Sequence, residues 1–136
     1  MKTERLGAIR SLPTYYFLDT YAMIEYIRGN KAYLKYFSSL DLKTSILNLT
    51  ELYFHVLRDA GERKAEDTYM LFKQFSVPII DEDVKEGMKF RLRLKARRTD
   101  VSYADAIGYA MAERMKAKFL TGDNSFKALS NVEFVK

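Results

Sequence analysis

A chain of 136 residues, 48% hydrophobic and 14% aromatic, suffices for one domain with a continuous core. The absence of cysteine excludes disulfides, zinc–thiolate sites, iron–sulfur clusters and thiol nucleophiles, and a single histidine, His55, excludes paired-histidine chemistry. A net charge of +5 beside 18 acidic residues leaves room for an acidic pocket on a surface that attracts polyanions.

Residues 1–14 carry no clear period, lack the apolar core of a signal peptide and read as a flexible lead-in, leaving 15–136 as the folded domain. No apolar run approaches the roughly 20 residues of a membrane span, so the expectation is a cytoplasmic protein without a membrane partner. Tyr15 to Leu18 predicts a buried strand, and the helix after it places Met23, Ile24 and Ile27 on one stripe before Gly29-Asn30 stops it. A short helix follows over Tyr33 to Phe37. Leu42 to Asn48 reads as a second strand, leading into a helix with Leu52, Val56 and Leu57 inward that breaks at Ala60-Gly61. An amphipathic helix over Lys64 to Phe75 comes next, then an edge strand at Val77 to Ile80, marked by its proline. A basic helix over Asp83 to Arg97 and an alanine-rich one over Tyr103 to Lys116 precede strands at Phe119 to Thr121 and Val132 to Val135, with a helical turn at Ser125 to Leu129 between them. Strands alternating with helices predict an α/β fold: a three-layer sandwich with a central, mostly parallel sheet of four to five strands flanked by helices.

Two of the predicted strands run into an aspartate. "YYFLDT" closes on Asp19 and "KFLTGD" on Asp123, while "NLTEL" sets Glu51 after the second strand and "SYADA" sets Asp105 at the start of the alanine-rich helix. In an open α/β sheet, ligands bind beyond the carboxyl ends of the strands, which is where all four acids fall. Two explanations stand side by side. Each acid suits a helix N-terminus, and both "NLTE" and "SYAD" have capping-box spacing. If the four converge instead, their mutual repulsion calls for a hard cation such as Mg²⁺ or Mn²⁺ and suits phosphodiester hydrolysis. Thr20 and Thr121 offer hydroxyls to ligand waters and carboxylates, or to local backbone.

Together, "FLDT", "NLTEL", "SYADAIGYAMA" and "FLTGDNSF" resemble, in order, the four acidic motifs of the PIN domain family, over about residues 15–136. Size and layout are similar to the VapC toxins of type II toxin–antitoxin operons. The resemblance implies a PIN-like fold and a Mg²⁺- or Mn²⁺-dependent endoribonuclease whose acidic quartet is Asp19, Glu51, Asp105 and Asp123, serving as both catalytic and metal-binding residues. Thr20 matches the hydroxyl residue that commonly follows the first aspartate. RNA as substrate, a small antitoxin as partner and a homodimer are further expectations. The alternatives are an RNA-processing or surveillance PIN nuclease that is not a toxin, and a non-catalytic PIN-like interaction module. A haloacid-dehalogenase-type phosphatase is disfavoured because a second aspartate should stand where Tyr21 does.

Lys85 to Arg98 holds seven basic residues against one acid. It reads either as a grip on RNA phosphates or on an acidic antitoxin segment, with Arg97 and Arg98 the leading contacts, or as a solvated helix face. Tyrosines 15, 16, 21, 26, 33 and 36 are candidates for base stacking or a dimer surface, and otherwise for the core. His55, one helical turn beyond Glu51, is a weaker candidate for substrate contact, and Glu25 and Glu113 for outer support of the site.

Overall fold

The computed structural model describes residues 15–38 and 41–136, so the lead-in expected over 1–14 lies outside the described residues. In chain order the elements are β1 (Tyr16–Leu18), α1 (Thr20–Ile27), a 3₁₀ turn (Lys31–Tyr33), α2 (Leu34–Phe37), β2 (Leu42–Lys43), α3 (Ile46–Ala60), α4 (Glu62–Lys73), α5 (Asp81–Ala96), α6 (Tyr103–Arg114), β3 (Lys118–Thr121), a second 3₁₀ turn (Asn124–Phe126) and β4 (Val132–Phe134). The four strands form one parallel sheet in the order β2-β1-β3-β4.

Strand periodicity builds the layers. Neighbouring residues of β1 and β3 point to opposite faces. Phe17 and Phe119, paired in register and stacked at 5.9 Å, bury into a core with Phe90, Leu94, Ile107 and Tyr109 of α5 and α6. Leu18 and Leu120 bury on the other face with Met23, Leu49, Leu52 and Phe72 of α1, α3 and α4. The result is the three-layer α/β sandwich that the alternation of strands and helices predicts, with four strands.

Two expected strands differ. The second is only Leu42–Lys43, because Ser45 caps α3: its hydroxyl accepts from the Asn48 amide at 3.3 Å, and Ile46 to Asn48 are already helical. Val77 to Ile80 forms no strand. A single parallel bridge joins Thr44 to Ser76, and Pro78, which has no N–H, cannot extend a ladder. Leu57 also faces solvent, at 41% exposure, while Leu52 and Val56 are buried as expected. Gly61, at φ +90°, makes the α3–α4 turn in a backbone region that suits glycine.

The sheet order reverses at β1, with β2 on one side and β3 on the other. In an open parallel sheet such a switch point is where the ligand crevice lies, here beyond the carboxyl ends of β1 and β3.

Candidate active site

Asp19 leaves β1 and caps α1, with Oδ1 accepting from the Ala22 amide at 2.8 Å. The capping explanation therefore accounts for one oxygen. The other, Oδ2, is buried and accepts no hydrogen bond, in a residue only 1% exposed. Such an atom is costly unless something occupies it.

Asp105 repeats the pattern on α6. Ser102 caps that helix through the Asp105 amide, at 3.0 Å. The Asp105 carboxylate does not complete the box, since its Oδ1 is also buried without a partner. Gly108, one turn further along, has Phe17 ring carbon 2.7 Å from where a Cβ would sit and Asn48 Oδ1 at 3.4 Å. A side chain there would push α6 off β1 and α3, so this close approach is what brings Asp105 beside the acids of the other elements.

Glu51 is not part of a capping box. Ser45 rather than Asn48 is the cap of α3, which leaves Glu51 in its second turn. There Glu51 accepts a 2.8 Å hydrogen bond from the Thr20 hydroxyl, while buried Asn48 reaches Thr20 Oγ1 at 3.4 Å and is itself held by the Ser45 hydroxyl at 2.7 Å. Asn48 is a support that the capping-box reading concealed; its position three residues before Glu51, hence on the same helix face, was the available signal. Asp123 caps the turn after β3 through the Ser125 amide, and Thr121 Oγ1 accepts from the Asp123 amide at 3.0 Å, so Thr121 serves local backbone while its hydroxyl also acts on the Asp19 carboxyl.

The electrostatics link the four acids. Burial, and then the charge of Asp105, push the Asp19 carboxyl well above its ordinary range; Asp123 adds to this, and the Thr121 hydroxyl and Ala22 amide oppose it. Burial, then Glu51 and Asp123, push Asp105 up to about 7, against the Ser102 hydroxyl, which favours the charged carboxylate. Among the described residues no three His, Cys, Asp or Glu side chains close tightly enough to enclose an ion by themselves. Mg²⁺ keeps several of its waters and needs only one or two carboxylates directly. The two open oxygens, on Asp19 and Asp105, fit that requirement.

The remaining candidates divide. Arg97 and Arg98 are exposed at the end of α5, with Arg98 turning the chain at φ 63°. His55 meets Arg58 at 3.0 Å and lines a separate cavity of about 190 Å³ with Ile24, Ile27 and Val56. Glu25 accepts from Asn30 at the end of α1, and Glu113 is exposed on the last turn of α6. Tyr33 and Tyr36 are buried and the other four early tyrosines half-buried, which is the core alternative.

The PIN domain family model matches residues 16–132. The chain belongs to the PIN domain family. No curated protein matches it. Solved structures share its fold at low identity: a DNA-bound VapBC of Salmonella typhimurium (15% identity, TM-score 0.72, covering 90% of this chain and 97% of that one), VapBC2 of Rickettsia felis bound to a promoter fragment (16%, 0.70, 90% and 98%), and the sarcin–ricin loop cleaving toxin VapC20 of Mycobacterium tuberculosis (18%, 0.67, 88% and 96%). This PIN domain thus has the same three-layer architecture as those toxin–antitoxin chains. Among its described residues no helix is long and apolar enough to cross a membrane.

Proposed function

We propose that this PIN domain is a metal-dependent endoribonuclease that hydrolyses RNA phosphodiester bonds, acting as the toxin of a VapBC-type pair. The observation that carries the reading is the pair of buried carboxylate oxygens without hydrogen-bond partners, on Asp19 and Asp105, next to Glu51 and Asp123. A chain needing only helix caps would leave neither oxygen open. Mg²⁺ or Mn²⁺ is the cation this oxygen set favours, held by Asp19 and Asp105 with Glu51 and Asp123 beside them. When bound, such an ion lowers the pKa of water and stabilises charge developing on the phosphate.

The chain's own residues do the rest. Thr20, steadied by Asn48, holds one oxygen of Glu51 and so restricts its rotamer. The Thr121 and Ser125 contacts fix Asp123. Arg97, Arg98 and the other cations of α5 attract RNA phosphates that the acids alone would repel. The toxin role is supported by fold neighbours described as toxin–antitoxin complexes, and it brings an antitoxin partner, a homodimer and a cytoplasmic setting with it. The test is cleavage of single-stranded or looped RNA with Mg²⁺ or Mn²⁺: activity should vanish in EDTA and in Asp19→Asn. Undiminished cutting in EDTA would refute the metal mechanism.

A further inference from the structure

Tyrosine is the commonest aromatic in this chain, and the packing buries or half-buries every tyrosine but one among the described residues. Among the described residues Tyr103 alone is exposed, at 62%. It is the first residue of α6 and shares the first helical turn with Asp105. The rise per residue puts the two only about 3 Å apart along the axis, and the helical twist turns their side chains to roughly opposite sides. Asp105 faces the crevice, and Tyr103 faces α5.

On that side the ring is held. The Arg91 guanidinium lies over it at 4.6 Å from the centroid. Arg91 is fixed in turn by a 2.9 Å hydrogen bond from Nε to the Val101 carbonyl and a 3.4 Å contact with Asp100. One face of the ring is thus backed by a planar cation while the rest of it stands in water. Beyond it the chain turns through Arg97 and Arg98.

We propose that Tyr103, backed by Arg91, is the stacking platform for one unpaired base of the RNA lying across the first turn of α6. This rests on the nuclease reading. Stacking on an aromatic face is how proteins commonly hold single-stranded RNA, because every base offers a π-face, whereas bases inside an A-form duplex do not splay out to reach one. The platform therefore selects RNA that is unpaired or looped near the cleaved phosphate. A strand crossing the end of the helix sets a phosphate near Asp105 and the base of a nearby nucleotide over Tyr103.

The test combines steady-state cleavage with fluorescence of short unpaired RNA oligonucleotides carrying 2-aminopurine at successive positions. Tyr103→Leu should raise KM about ten-fold or more with kcat little changed, and should abolish the quenching that the wild-type chain produces at one position. Tyr103→Phe should keep both, and Arg91→Lys, which loses the planar backing, should fall between. An unchanged melting temperature for Tyr103→Leu is expected of so exposed a residue. If the wild type cuts RNA and Tyr103→Leu matches it in KM and quenching, the platform is refuted and the nuclease stands. If the wild type neither binds nor cuts RNA, both fall together.

Discussion

The α5–α6 hairpin carries an aspartate with a buried carboxylate oxygen at each of its ends, Asp83 buried whole and Asp105 half-buried with its Oδ1 enclosed, and the two are treated in opposite ways. At the end away from the crevice, Asp83 is 1% exposed, and Arg114 grips it with two hydrogen bonds, at 2.7 and 2.9 Å. A third comes from the Ile80 amide at 3.0 Å. Burial alone would raise its pKa, but these bonds and the charge of Arg114 outweigh it and hold the carboxyl below its usual range. At the crevice end, Asp105 is given one backbone cap through its amide and nothing for its Oδ1, and burial with two further carboxylates drives it up to about 7. Desolvation pushes both carboxyls upward, so the difference lies in the partners. The acid that serves the fold is given a cation from the chain itself, while the one among other acids is left with an open oxygen, which is what the proposed cation would take.

The contrast can be broken most sharply at the crevice. Asp19→Asn should reduce RNA cleavage by about 10²–10³-fold or more, measured with saturating Mn²⁺, while the fold persists by circular dichroism. At the other end Asp83→Ala should leave cleavage intact and cost about 2–3 kcal/mol of stability in urea unfolding, less than a wholly buried pair because the Arg114 side chain is 37% exposed and can turn to water. Thr20→Val removes the hydroxyl that fixes Glu51 and should lower cleavage about ten-fold with little change in RNA affinity, read from kcat and KM separately.

The smallest effect is one of pH and runs in opposite senses at the two ends. Asp105, raised in the folded chain, contributes stability that is full below its ordinary value near 3.8 and is lost as pH rises to about 7. Metal-free protein should therefore lose stability over that window, and Asp105→Asn should lessen the loss, leaving the part that Asp19 contributes, and stabilise the chain by about 1 kcal/mol at neutral pH. Asp83, lowered, contributes above 3.8 and loses that contribution as pH falls below it, so Asp83→Asn should flatten the acid limb instead. Melting temperatures across pH read both.

Much of this was legible from local pattern. Apolar runs ending on aspartate located β1 and β3, and the order of the four acidic motifs gave the family that the model of residues 16–132 bears out. What escaped were features decided by competition between neighbours. Ser45 took the cap that Asn48 seemed to offer, so β2 shrank to two residues and Glu51 moved into the second turn of α3. Val77 to Ile80 has strand composition, yet Pro78 and the short β2 left it nothing to pair with beyond one bridge. The Asp83–Arg114 pair joins residues 31 apart and had no sequence signal. Tyr103 was hidden by its own surroundings: it sits in an apolar helix, and only the position of α5 decides that its ring faces Arg91 and water.

The central claim is that the open oxygens of Asp19 and Asp105 belong to a divalent cation. Titration of Mn²⁺ into the metal-free protein, followed by calorimetry or by loss of the free-ion paramagnetic signal, tests it without relying on any RNA. The account predicts saturable binding to the wild type that is lost in Asp19→Asn and in Asp105→Asn and retained in Asp83→Asn. Binding indifferent to the two crevice substitutions, or no binding in the wild type, would contradict it.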